Sequence, residues 1–187
     1  MKNELLLSLI RVLPFLIIII IIKLRSKEGK LDQIDLYLKQ PDKISSLLIW
    51  CLAYLIFILI TEYVLYQFGL LEIKHWNHSL ISSIILIIGA VILAPIAEEL
   101  IFRGIILEKL IQWKIRKQTA IFLQAILFVL LHNFTYDLTI TSTISIATTL
   151  VDAVLFAYAK YETKSIYTSM SMHSTGNLIA TLERFIF

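Results

Sequence analysis

The chain has 187 residues, of which 58% are hydrophobic and 17% charged, with a mean hydropathy of +0.83 and a formal net charge of +3. Soluble domains carry roughly a quarter of their residues as charges, so a soluble fold has no place to hide this much apolar surface. The basic residues gather in a few loops beside apolar segments and form no long stripe, which argues against nucleic acid as a partner and for membrane orientation.

The apolar stretches reach the ~20 residues that a helix needs to cross the hydrocarbon of a bilayer. The expectation is an all-α, polytopic transmembrane helix bundle of about six spans. The first covers about Leu5 to Leu24. It reads as a retained helix and not a signal peptide, because no small-residue cleavage site follows Lys23 and Arg25. Pro14 kinks it unless a neighbouring helix compensates for the lost hydrogen bond. In the charged segment that follows, Leu31, Ile34 and Leu38 recur at helical spacing, which predicts a short amphipathic helix on the membrane surface before Pro41. The second span runs from about Ile44 to Leu70 and holds the single cysteine, Cys51, which rules out an intramolecular disulfide or a cysteine-ligated cluster and reads as a packing residue.

A polar connection, EIKHWNHS from Glu72 to Ser79, leads into a helix that starts at Leu80 and extends through Leu110, well beyond one bilayer crossing. Its His75 and His78 read as solvated loop residues. The fourth span is Thr119 to Phe134, the fifth about Ile140 to Ala159, and the sixth Ser165 to about Phe185. The first half of the sixth, SIYTSMSMHSTGN, is too polar for lipid and must face other helices or a water-filled cavity. Residues 1–78 are thus N-terminal spans with a cytoplasmic amphipathic connection, and 79–187 form the core that carries chemistry, built from the last four helices.

Basic residues orient the bundle. The first connection holds Lys23, Arg25, Lys27, Lys30, Lys39 and Lys43; the third Lys114, Arg116 and Lys117; the fifth Lys160 and Lys164. The second has only Lys74 and the fourth has none, so connections one, three and five are assigned to the cytoplasm.

Ionisable side chains within a bilayer are costly when unpaired, which makes each a functional candidate. Three groups stand out: Glu98, Glu99 and Arg103 in APIAEELIFRG, His132 in FVLLHN, and His173 with Asn177 in MHSTGN. On a helix Glu99 and Arg103 stack four apart in the favourable order for an ion pair. Glu98 points about a quarter-turn away and is left free to address another helix as a general base. Counted from the turn near Ile115, Glu98 lies about 17 residues back and His132 about 17 forward, so they reach the same level in an antiparallel pair. Phe128 shares a face with His132. His173 and Asn177, four apart, present an imidazole and an amide side by side, a pair of donors suited to an oxyanion. Counted from the fifth connection, however, His173 is about 8 Å shallower than Glu98, so a slanted or re-entrant sixth helix is needed to bring them together. Each group also has a purely structural reading: an ion pair for Glu99 and Arg103, and polar contacts between helices for the others. Asp152, in the fifth span, has no assigned role; a hydroxyl or Arg103 would suit it as partner.

EExxxR, FxxxH and HxxxN, in this order on successive hydrophobic segments, resemble the three signature motifs of the CAAX-prenyl-endopeptidase and bacteriocin-processing (CPBP, or Abi) family of intramembrane proteases. The resemblance covers about Ser79 to Ala180. It implies that Glu98 and His132 activate water, that His173 and Asn177 hold the oxyanion, and that Glu99, Arg103 and Phe128 support them. It also implies a peptidase acting on membrane-associated or lipid-anchored peptides, expected in a bacterial cell membrane; the lack of HExxH, with candidate ligands on three helices, favours a mechanism without a cofactor. Two histidines and a glutamate are also a ligand set for catalytic zinc, so a zinc-dependent version would use Glu98, His132 and His173. A bacteriocin self-immunity or regulatory protein acting by binding, and a small transporter using Glu98 and His132 as a proton relay, are the readings from other classes.

Overall fold

The computed structural model describes residues 2–29, 36–71, 73–132 and 139–186. They form six helices and, among the described residues, no strand. In chain order these are α1 (Lys2–Lys27), α2 (Ile44–Gln67), α3 (Leu80–Gln112), α4 (Lys117–Leu131), α5 (Ile140–Thr163) and α6 (Ile166–Ile186). Four of them, α1, α2, α3 and α5, are long and apolar enough to cross a membrane.

The distribution of side chains is that of a protein in lipid. Leu6, Ile10 and Leu13 of α1 and Ile49, Leu52 and Ile60 of α2 are exposed, while Thr168, Ser169 and His173 of α6 are buried. In hydrocarbon the polar face of a helix must turn inward, because lipid offers no hydrogen-bonding partner. The chain is an integral membrane protein, and the polar start of α6 sits inside the bundle as its composition requires.

Helix α1 stays helical through Pro14, and α3 packs against the adjacent segment. A Cβ on Gly89 would collide with the Val12 side chain, so glycine is what allows the two backbones this close. Helix α3 spans 33 residues and is interrupted by two π-helical stretches, Gly89–Leu93 and Leu100–Ile106. A switch from α to π bonding widens the turn and leaves a carbonyl under-used. In each stretch a polar side chain from another helix takes up such a carbonyl: Asn177 Nδ2 donates to the Ala90 carbonyl at 2.7 Å, and Lys160 Nζ to that of Arg103 at 2.6 Å.

Two expectations need correction. Leu31 and Ile34 lie outside the described residues, but from Leu36 to Lys43 the chain is not helical, and while Leu38 to Gln40 are exposed, Leu36 is turned inward. Leu36 is buried against Ile22, Leu100, Ile166 and Met170. The Tyr37 carbonyl accepts from the Ile166 backbone, and that of Lys39 from Ser165 Oγ at 2.6 Å. The segment is thus tied to the turn between α5 and α6. Lys160, counted above as a loop cation, is fully buried in the last turn of α5. Glu108 on α3 supplies its counter-charge at 2.5 Å and is held in turn by Tyr161 Oη at 2.9 Å; the rings of Tyr37 and Tyr161 flank the ammonium at 4.6 and 5.1 Å. The connection between α3 and α4 falls where expected. At the end opposite the basic connections, Trp76 stacks on Phe185 and donates to Ser83, which seats the second connection on the end of α6.

Candidate active site

The EExxxR segment lies where α3 passes from its short α-helical stretch, Ala94–Glu99, into the second π-helical one. Glu99 and Arg103 are both fully buried. Arg103 Nη1 donates to Glu99 Oε1 at 2.8 Å, and Nη2 donates to the Ala153 carbonyl of α5 at 3.1 Å. The guanidinium also lies over the rings of Phe128 and Phe156, 4.5 and 5.4 Å from their centroids. A planar cation between aromatic faces keeps its charge without water. Gln124 of α4, a polar residue in an apolar span and outside the three motifs, donates to the same Ala153 carbonyl at 3.2 Å.

His173 reaches this pair from α6. Its Nδ1 is 2.9 Å from Glu99 Oε1 and its Nε2 is 3.7 Å from Glu98 Oε2. A carboxylate only accepts, so Nδ1 carries the hydrogen and Nε2 faces Glu98. The ring stacks on Phe156 at 5.2 Å and 25°, and Tyr54 of α2 meets the far side of that arrangement edge-on, 5.1 Å from Phe156. Glu98 is partly buried, its side chain 21% exposed, against 0% for Glu99. One carboxylate is therefore sealed into a structural network, and its neighbour in sequence is open to the site.

The depth mismatch between His173 and Glu98 disappears because the two connections used as rulers are not level. Ile166, at the start of α6, lies against Gly104, where a Cβ would sit 3.5 Å from its side chain. Gly104 is about 12 Å, or two turns, short of the end of α3. The turn between α5 and α6 is therefore recessed, and His173 rises to the level of Glu98 and Glu99 without a re-entrant start.

His132 caps the C-terminal end of α4 and leaves the helix with extended backbone; Asn133 and Phe134, assigned to the same span, lie outside the described residues. Its Nδ1 is 2.8 Å from the Phe128 carbonyl, an obligate acceptor, so in the neutral ring Nε2 carries the lone pair. Phe128 is the spacer between the two imidazoles, 4.2 Å from His132 and 5.9 Å from His173 by ring centroids. Glu98 interacts electrostatically with both histidines. Phe128 thus touches both imidazoles, and Glu98 lies within electrostatic range of both. Asn177 differs from expectation. Its Nδ2 is already committed to the Ala90 carbonyl, and only the second N–H of the amide remains for another acceptor.

Asp152 has the hydroxyl partner that its position called for: it is hydrogen-bonded to Tyr54. Among the described residues no three His, Cys, Asp or Glu side chains converge as a metal-ligand set. His173 gives Nδ1 to Glu99 and keeps Nε2 3.7 Å from Glu98 Oε2, the carboxylate-backed arrangement that zinc-ligating histidines also use. His75 is exposed and His78 turns to Glu4 at 3.5 Å and to Trp76.

A family model described as type II CAAX prenyl endopeptidase Rce1-like matches residues 79–179, which hold every one of these motif side chains. No curated protein and no solved structure matches the chain.

Proposed function

Because the chain belongs to the type II CAAX prenyl endopeptidase Rce1-like family, a peptidase family, we propose that it is an intramembrane endopeptidase that hydrolyses a peptide bond of a membrane-associated or lipid-anchored peptide with water activated at Glu98. The observation that carries this reading is the division of labour between adjacent carboxylates: Glu99 is sealed by Arg103 and His173, and Glu98 is open beside His173 Nε2 and within electrostatic reach of His132.

In this reading Glu98 takes a proton from water while His132, its Nδ1–H held by the Phe128 carbonyl, accepts at Nε2 and keeps the water in place. The water oxygen bonds to the scissile carbonyl carbon. The carbonyl oxygen becomes an oxyanion, and His173 donates to it through Nε2–H. With Nδ1–H already given to Glu99, that requires the imidazolium, whose charge Glu99 offsets. Asn177 contributes the N–H that Ala90 leaves over. Collapse of the intermediate breaks the C–N bond, and the proton on Glu98 passes to the leaving amine.

No step is routed through a metal, since no three candidate ligands converge among the described residues. The purified protein is expected to keep its activity in strong chelators; inactivation reversed by added zinc defeats the metal-independent route. Glu98→Gln preserves size and removes the base. It is expected to lower turnover by about 10²–10⁴-fold, the range of a general base, with an unchanged unfolding midpoint in detergent. Turnover within twofold of the wild type would overturn the assignment. Comparing membrane peptides from cells carrying the two forms identifies the substrate, and host protection that survives Glu98→Ala with His132→Ala would favour a binding protein.

A further inference from the structure

Hydrolysis inside a bilayer needs a supply of water, and this inference rests on the hydrolytic reading above. A cavity of about 100 Å³ lies between α2 and α5, in the half of the bundle opposite the basic connections. Its polar lining is Thr61, Glu62, Ser145, Thr148 and Asp152. A cavity takes up water when it is polar and roomy enough, at about 10–15 Å³ of such volume per molecule with two to four polar partners for each. This cavity has the volume, and its five polar side chains can partner about two molecules along one wall.

The lining is also arranged to accept hydrogen bonds. The Ser145 hydroxyl donates to the Thr141 carbonyl at 3.0 Å, and Thr148 to the carbonyls of Ile144 and Ser145 at 3.1 Å. Their protons are spent within α5, and their oxygen lone pairs remain. Glu62 Oε2 is buried with no hydrogen-bonding partner. A buried acceptor of this kind demands a donor, and no apolar wall residue supplies one.

The inner end of the cavity borders the residues packed behind His173. Ser145, at its outer rim, is exposed. Asp152, at its inner end, is bonded to Tyr54 and interacts electrostatically with His173 and Arg103. The next residue, Ala153, gives its carbonyl to Arg103. Tyr54 in turn reaches past Gly176, where a Cβ would stand 2.8 Å from its hydroxyl, and touches Phe156 beneath the His173 ring.

We propose that the Thr61, Glu62, Ser145, Thr148 and Asp152 cavity is the path by which water reaches the catalytic centre, entering from the face of the membrane opposite the basic connections.

Two measurements test it, and the first needs no activity. In full-length protein in sealed vesicles with Cys51→Ser, Thr148→Cys is treated with silver ion, which is close to water in size, from one side at a time. Protection of the thiol against later maleimide labelling after denaturation is then read. Fast protection is expected from the face opposite the basic connections only. Protection no faster than for a lipid-facing Ile49→Cys, or fast only from the basic face, overturns the proposal even if the Glu98 assignment stands. The second measurement is turnover. Thr148→Leu fills the cavity and is expected to lower kcat about tenfold, with KM unchanged, whereas Thr148→Ser keeps the wild-type rate. Full kcat in Thr148→Leu overturns the path as the route of supply, and conversely, if Glu98→Gln remains active, the silver result still decides whether the cavity is hydrated.

Discussion

Arg103→Met is the sharpest probe of the buried network, because the structure specifies what it leaves behind. The substitution keeps most of the side-chain volume but removes the donor at 2.8 Å from Glu99 Oε1 and the donor at 3.1 Å from the Ala153 carbonyl. It also strips the cation from between Phe128 and Phe156. Glu99 is 0% exposed, so its charge is left with His173 alone, and Glu99 Oε2 already has no partner. Removing one partner of a buried pair costs about 3–5 kcal/mol, most of it the penalty of the orphaned charge and not the worth of the bond. The companion variant Glu99→Gln with Arg103→Met removes both charges, and its cost should fall to about 1–2 kcal/mol. Unfolding midpoints in a denaturing detergent titration, for the wild type, both single variants and the double, give the cycle. Both Arg103 variants should lose turnover, since His173 then has no fixed carboxylate at Nδ1. Strictly additive destabilisation across the cycle would show that the two charges are not coupled through burial, and the account of Glu99 as a sealed structural carboxylate would be wrong.

Gly89→Ala places a Cβ into the Val12 side chain, and overpacking of this kind costs about 1–3 kcal/mol; Val12→Ala should recover most of it, and a thermal-shift series reads both. Lys160→Met orphans Glu108 beside Tyr161 and frees the Arg103 carbonyl. A loss of about 3 kcal/mol is expected, partly restored by adding Glu108→Gln, with the same detergent titration as the measure.

Much of the fold could be read from the chain because lipid imposes a simple rule. Apolar runs must become helices, and the places where the runs stop are the connections. The span from Leu80 was recognisably too long for one crossing, and α3 is 33 residues. The Glu99 and Arg103 pair followed from spacing alone, since residues four apart stack. The polar start of α6 could only face inward, and it does. Lys160 was misplaced for a reason built into the same rule: a lysine at the end of an apolar run looks like a loop cation, and only the tertiary partner Glu108 on α3 makes its burial tolerable.

What stayed hidden was the longitudinal register between helices. Counting residues from each turn assumes that all turns on one face are level, and the recessed start of α6 against Gly104 breaks that assumption. The π-helical stretches were hidden as well, although each contains a glycine, Gly89 and Gly104, and each has a polar residue elsewhere whose side chain ends on one of its carbonyls. That coupling explains why the sixth helix carries an asparagine one turn after its histidine. An amide at Asn177 both holds the widened turn of α3 through Ala90 and stands one helical turn from His173. The π geometry sets the direction of the segment bearing Glu98 and Glu99, so the residue that secures it must come from the helix that brings the imidazole. The positions of Glu98, the proposed base, and of His173 and Asn177, the proposed oxyanion donors, are then linked through the Asn177–Ala90 contact.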